Sequence, residues 1–227
     1  MENLNVFSIF RSISGECGII PQGTITTFIR LAGCNLRCLY CDTEKAWERN
    51  SGQEMTIDEV VDKVEDLDSD HVLITGGEPL LQQEGLTNLC MDPHIIFNDG
   101  MSITIETNGS ITPGEELVKY VDSWVVDYKL PGSEEMDRML PLHEYSHFPR
   151  NRTLMKFVCS NEQDLLVAVD VMEKLEMCGC VVSAARPLTE ADLLELMIKN
   201  DIRAVLNVQI HKYIFPEGEV GDVGKDR

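Results

Sequence analysis

The sequence predicts an α/β fold, a partial (β/α) barrel in a single domain spanning residues 1–227, and three observations predict it. Apolar runs of strand length alternate with longer segments of helical period. The connections are short, with no linker or low-complexity stretch, and 227 residues fit one domain with a proper core. Polar, glycine-rich loops also collect after successive strand candidates, at the edge where parallel α/β folds build their sites.

The first strand candidate is Thr24–Leu31, which alternates and carries Arg30. On its own, Arg30 in such a strand reads as a surface charge. A helix is expected over Thr56–Leu67, because Thr56 and Glu59 form a capping box ahead of Val60 and Val61. The strand Val72–Thr75 then leads into Gly76-Gly77-Glu78-Pro79, and Pro79 suits the first turn of a helix over Pro79–Cys90. Ile103–Glu106 is followed by Thr107-Asn108-Gly109 and a helix at Gly114–Tyr120. Trp124–Asp127 runs into Tyr128-Lys129, and Leu154–Cys159 precedes a helix over Glu162–Met177. Val181–Ala184, a helix at Thr189–Lys199 with Glu190 and Asp192 at its start, and Ala204–Val208 complete the pattern. The acidic stretch Pro216–Arg227 reads as a mobile tail.

The most specific local feature is Cys34-Asn35-Leu36-Arg37-Cys38-Leu39-Tyr40-Cys41, a C-x3-C-x2-C run behind the first strand. With 8 Cys in 227 residues, chance placement gives this spacing about 0.01 times per chain. Three thiolates on one loop suit an iron–sulfur cluster, and on a four-iron cube they leave one iron open to a small molecule. The rival readings are a zinc site, which wants a fourth Cys or His at fixed spacing, and plain buried thiols. Cys17, Cys90, Cys159, Cys178 and Cys180 read as small core residues, with an auxiliary cluster as the other reading.

A net charge of −20 works against a sequence-independent grip on nucleic acid and against anionic membranes. No apolar run has transmembrane length, and MENLNVFSIFRS lacks the regions of a signal peptide. Free thiolates kept for metal imply a reducing compartment, so the expected location is cytoplasmic.

Cys34, Cys38, Cys41 and Thr75-Gly76-Gly77-Glu78-Pro79 resemble the radical S-adenosylmethionine (SAM) superfamily. That resemblance implies a [4Fe-4S] cluster whose open iron is chelated by SAM and whose electron releases a 5′-deoxyadenosyl radical. A narrower resemblance, to the 7-carboxy-7-deazaguanine synthase family, covers most of the chain. It is carried by Ser12–Glu16, Phe28–Leu36, Cys41-Asp42-Thr43, Glu106–Gly109, Lys156-Phe157-Val158 and Gln209-Ile210-His211-Lys212. It implies conversion of 6-carboxy-5,6,7,8-tetrahydropterin to 7-carboxy-7-deazaguanine with loss of ammonia, in queuosine and deazapurine biosynthesis, with SAM and Mg2+. Carried over, Tyr40, Cys41, Asp42, Gly76, Gly77, Glu78, Thr107, Asp127, Tyr128, Lys129 and Ser183 serve SAM. Thr43 holds magnesium, and Ile13, Ser14, Gly15, Glu16, Arg30, Thr75 and His211 serve the pterin. No further catalytic residue is assigned. A flavodoxin or ferredoxin is the implied electron donor, and a homodimer stays open.

The chain departs from the family pattern at Ser14 (usually Gln), at Asp127-Tyr128-Lys129 (usually Ser-Pro-Lys) and at Ser183-Ala184 (usually Gln-Pro). Two rivals share some of the features. A radical-SAM activase that installs a glycyl radical on a partner needs an open mouth, whereas the synthase needs Arg30 and Glu16 in a small pocket. An iron–sulfur electron carrier has no use for the glycine-rich loops.

Overall fold

The computed structural model describes residues 3–96, 100–175 and 179–215. In chain order its elements are β1 (Leu4–Ile13), β2 (Ile25–Leu31), β3 (Gln53–Met55), α1 (Ile57–Leu67), β4 (His71–Gly76), α2 (Gln83–Cys90), α3 (Pro93–Ile96), β5 (Ser102–Thr107), α4 (Glu115–Tyr120), β6 (Ser123–Asp127), β7 (Thr153–Cys159), α5 (Glu162–Lys174), β8 (Gly179–Ala184), α6 (Glu190–Lys199), β9 (Val205–Asn207) and α7 (His211–Ile214). The nine strands form one sheet in the order β3-β1-β2-β4-β5-β6-β7-β8-β9. From β2 to β9 the pairing is parallel. β1 runs antiparallel to both β2 and β3. With β3 and β9 at its edges the sheet is open. It curls enough that Gly15, in the β1–β2 loop, accepts from Ile210 N–H at 3.0 Å beyond β9.

The alternation of each strand decides what faces where. Ile29, Leu31, Val72, Ile74, Ile103, Ile105, Trp124, Val126, Met155, Phe157, Val182 and Ala184 join the hydrophobic core with the helices. The residues between them point to the inner face, among them Arg30, Thr75, Glu106, Asp127, Lys156, Ser183 and Asn207. A polar ring inside an apolar jacket follows from period-2 patterning alone.

Several expectations are corrected. β1 and β3 are additional strands. In β1 the register shifts between Val6 and Ser8, so its alternation breaks in the middle and is illegible as one run. The segment after Glu78 starts as a 3₁₀ turn over Pro79–Gln82 and becomes α-helical at Gln83. The helix expected over Glu162–Met177 ends at Lys174, and Cys178 and residues 216–227 lie outside the described residues. The start of α6 is a full capping box, because Asp192 reaches back to the Thr189 N–H at 3.1 Å. Cys90 and Cys159 are core residues, and Cys180 packs against the same core. Among the described residues, no helix is long and apolar enough to cross a membrane.

Candidate active site

The cysteine loop leaves β2 through Gly33, whose φ of +98° lies in the left-handed region that favours glycine. The chain then folds back on itself: Gly33 N–H donates to Ala46 O at 2.8 Å and Cys34 N–H to Trp47 O at 2.9 Å. Arg37 fastens the outside of the loop. Its guanidinium lies 5.2 Å from the centre of the Trp47 ring and donates to Cys34 O and Leu36 O at 2.8 Å each. Cys34, Cys38 and Cys41 are free thiols. Leu36 N–H points at Cys34 Sγ (3.4 Å), Thr43 N–H at Cys41 Sγ (3.4 Å), and Asn108 Nδ2 at Cys34 Sγ (3.8 Å). Donors aimed at sulfur are what a thiolate-held cluster uses to tune its charge.

Burial raises all three thiols, Cys38 to about 11, so they bind metal by giving up protons to it. Among the described residues no three His, Cys, Asp or Glu side chains converge on a single-ion site.

The Gly76-Gly77 pair has a structural task. A Cβ on Gly76 would lie 2.2 Å from Leu31 O, and one on Gly77 would lie 2.1 Å from Gly33 O. Gly77 N–H donates to Leu31 O at 2.9 Å and Glu78 N–H to Gly33 O at 2.8 Å. Gly76 therefore presses against the end of β2 and Gly77 against the start of the cysteine loop. Glu78 is likewise no open acceptor. It is fully buried, and its carboxylate takes Leu80 N–H (2.9 Å), Thr107 Oγ1 (2.7 Å) and Asn108 N–H (2.7 Å). Burial pushes the Glu78 carboxyl up while these donors oppose the shift. Glu78 and Thr107, both expected to serve SAM, here tie the second and third loops together behind the cysteines.

The polar ring of the inner face opens in front of that loop. Arg30, expected there by resemblance and read as a surface charge by pattern, is partly buried on the inner face. Its Nη1 donates to Thr43 Oγ1 at 2.9 Å, and Thr43 in turn donates to Asp42 Oδ1 at 2.8 Å. Glu16 sits where the β1–β2 loop meets the C-terminal segment. It accepts from Lys156 Nζ (2.8 Å), Gln209 Nε2 (2.5 Å) and Asn207 Nδ2 (3.4 Å). Burial alone would raise the Glu16 carboxyl, but the Lys156 charge and the hydrogen bonds from Lys156 and Gln209 hold it low.

Asp127 pairs with Lys129 at 2.5 Å and with Lys156 at 3.2 Å. Burial works against the Lys129 charge, and Asp127, Cys38 and Tyr40 outweigh it, so Lys129 stays cationic beside the cluster loop. Tyr128 is a correction: its ring turns into the core, 5.7 Å from Tyr145 and 6.1 Å from Phe157, away from the inner face. The period-2 rule puts it opposite Asp127.

The remaining residues gather round the same mouth. Ile13 ends β1, paired with Ile25, and Ser14 Oγ donates to Glu16 O at 3.4 Å. His211 packs against Gly15, where an added Cβ would stand 2.2 Å from its Nδ1. Burial lowers the His211 imidazole. Tyr40 donates to Val158 O at 3.2 Å, and Ser183 accepts from Asn207 at 2.8 Å.

Glu106 stands on the inner face with Thr75 Oγ1 donating to its Oε2 at 3.2 Å. Burial raises its carboxyl to about 7, and the nearby Glu16 and Asp127 add to the rise while Lys156 opposes it. Ser14, Glu16, Cys17, Thr104 and Glu106 line a small cavity. Lys156, Glu106, Asn207 and Gln209 were given no role in the sequence reading. The signal for Lys156 was a charge flanked by the core residues Met155 and Phe157 in a strand, which can only face inward.

Residues 28–131 match the model of the radical SAM superfamily. A 7-carboxy-7-deazaguanine synthase of Clostridium acetobutylicum is 33% identical, over 96% of this chain and 99% of its own. One from Leptospira interrogans is 31% identical, over 95% and 98%. The crystal structure of QueE from Escherichia coli superposes with a TM-score of 0.64 at 19% identity, covering 91% of this chain and 94% of that one, and so shares the fold. With a cysteine loop built for a cluster and relatives that match it end to end, the chain belongs to the 7-carboxy-7-deazaguanine synthase family of radical SAM enzymes.

Proposed function

We propose that the chain converts 6-carboxy-5,6,7,8-tetrahydropterin to 7-carboxy-7-deazaguanine with loss of ammonia, a carbon–nitrogen lyase reaction of deazapurine and queuosine biosynthesis. The observation that carries this reading is the Arg30–Thr43 contact (2.9 Å), two residues beyond the last cluster cysteine and on the inner face. A fork of donors there suits a substrate carboxylate, and a hydroxyl beside it suits a hard cation.

Family membership brings a [4Fe-4S] cluster, SAM and Mg2+. When bound, the cluster and SAM supply one-electron chemistry and Mg2+ supplies charge stabilisation and a template. Cys34, Cys38 and Cys41 would hold the cluster. Thr43 Oγ1 accepts one hydrogen bond and donates another, which leaves a lone pair for magnesium. Tyr40, Asp42, the Gly76–Gly77 backbone, Asp127, Lys129 and Ser183 surround the space for SAM. Glu78, Thr107 and Tyr128 act from behind, as supports.

Arg30, Thr75, Ser14 and Glu16 receive the pterin. Glu16 is held as a carboxylate by Lys156, so it accepts from the donor edge of a pyrimidinone ring. His211 on Gly15 closes the mouth and excludes water. The inner face is narrow and charged, which favours a small molecule over the partner loop of a glycyl-radical activase. A reducing cytoplasm keeps the thiols free, and a flavodoxin or ferredoxin supplies the electron.

The test is anaerobic reconstitution, then incubation with SAM, dithionite, Mg2+ and the pterin. Mass spectrometry should find the deazaguanine acid. Reductive SAM cleavage without it would leave the superfamily standing and refute the substrate.

A further inference from the structure

β9 ends the sheet order as an edge strand, so the β1–β2 loop that carries Glu16 meets it without a strand ladder. Side chains and the Ile210–Gly15 backbone bond join the two instead, and Asn207 reaches three partners at once. Asn207 is fully buried, and Ser183, its register partner on β8, is fully buried beside it. Asn207 Oδ1 accepts the Cys17 N–H at 2.7 Å. Its Nδ2 donates to Ser183 Oγ at 2.8 Å and to Glu16 Oε2 at 3.4 Å. A backbone N–H can only donate, so the amide cannot be turned the other way round. No other side chain of this length offers an acceptor on one side and two donors on the other. The departure at Ser183 fits the same arrangement. A Gln at 183 would need the space that the Asn207 amide fills, because the two side chains are buried and paired directly across β8 and β9.

We propose that Asn207 is a positioning residue for the substrate, acting through Glu16. This assignment rests on the function proposed above, in which Glu16 receives the pterin. An ionised carboxylate offers about four acceptor sites. Lys156 and Asn207 use two of them on Oε2, at 2.8 and 3.4 Å, and Gln209 uses one on Oε1, at 2.5 Å. The site left over lies on Oε1, so Glu16 takes one donor of the bound ring. Asn207 decides where that oxygen stands. Its hold on the Cys17 amide fixes the backbone next to Glu16, and its contact with Oε2 fixes the turn of the carboxylate.

The test uses Asn207→Leu, which removes all three hydrogen bonds at similar volume, and Asn207→Asp. The second keeps an acceptor for Cys17 N–H but turns an oxygen toward Glu16. In the reconstituted holoenzyme with SAM, reductant and Mg2+, either variant should raise KM for the pterin about 10-fold or more. The kcat should stay close to wild type, as for a loss of uniform binding. Glu16→Gln also raises KM, and adding Asn207→Leu to it should change KM by less than about twofold, because both act on one carboxylate. A KM within about twofold of wild type in both single variants would overturn the assignment. So would a double variant whose KM rises by the full product of the two single effects, since Asn207 would then act by another route.

A second measurement uses wild-type protein alone, so it does not depend on the folding of a variant. Hydrogen exchange at the Cys17 amide, read by mass spectrometry with electron-transfer fragmentation, should be slowed about 10-fold or more relative to an unprotected amide. Exchange at the unprotected rate would overturn the assignment. A wild-type enzyme that cleaves SAM and makes no deazaguanine from the pterin refutes the functional reading instead. The Cys17 amide still reports on Asn207 in that case.

Discussion

Lys156→Met keeps most of the aliphatic stem and removes an ammonium that lies 2.8 Å from Glu16 and 3.2 Å from Asp127. The Lys156 and Glu16 side chains are 9% and 14% exposed, so water screens their pair poorly. Removing one partner of a buried pair strands the other charge and costs about 3–5 kcal/mol. With an unfolding entropy of about 2.1 cal/mol/K per residue over 227 residues, that lowers Tm by about 6–10 °C.

The pH dependence follows from the two shifts. Glu16 is held below its ordinary 4.5, so its share of the stability is present above that value and lost as pH falls through its lower folded pKa. Lys156 is raised well above 10.5, burial being outweighed by Asp127, Glu16 and Glu106, so its share is present below 10.5 and lost only in stronger alkali. The gap between wild type and variant should therefore be widest at neutral pH and narrow in acid. Thermal unfolding followed by circular dichroism measures it. Glu16→Gln added to Lys156→Met should recover part of the loss, since it removes one stranded charge. A Tm within about 1 °C of wild type at neutral pH would refute the reasoning.

Gly77→Ala should abolish cluster loading, read as iron per chain, because its Cβ would strike Gly33 O at 2.1 Å. Gly23→Ala, at φ +89° with nothing within 4 Å, should cost about 1–2 kcal/mol of stability and leave cluster loading intact. Arg30→Lys should raise KM for the pterin about 10- to 100-fold and spare SAM cleavage, since a point charge replaces a bidentate fork. Glu106 is raised to about 7, so its stabilising share is complete below the ordinary 4.5 and is lost as pH rises through 7. Wild type should thus lose stability from about pH 5 to pH 8, while Glu106→Gln stays flatter over that range in the same unfolding assay.

The parallel strands and the longer helices were legible because their periods are unbroken and Thr56 and Thr189 mark two of the helix starts, whereas the four-residue α3 and α7 are too short to show a period. The three cysteines were legible because all of them fall on one loop between Cys34 and Cys41, at a spacing that chance rarely gives. The bulge in β1 hid that strand, and three residues are too few for β3 to show a period. Motif resemblance found Glu78, Thr107 and Tyr128, but it could not say which way their side chains turn. In the structure the Glu78 carboxylate takes donors from Leu80, Thr107 and Asn108, and the Tyr128 ring packs beside Tyr145 and Phe157. The charge network of Glu16, Glu106, Asp127 and Lys156 joins four segments far apart in sequence. The curl of the sheet and the β1–β2 loop bring them together, with Lys156 on both Glu16 and Asp127, so the pattern of a single strand does not announce the network.

Anaerobic turnover of the reconstituted chain with limiting SAM, Mg2+ and 6-carboxy-5,6,7,8-tetrahydropterin bears most directly on the proposed activity. The expected result is 7-carboxy-7-deazaguanine and ammonia in equal amounts, both exceeding the SAM supplied, with neither formed by Cys38→Ala. Formation of 5′-deoxyadenosine with the pterin recovered unchanged is the result that contradicts it.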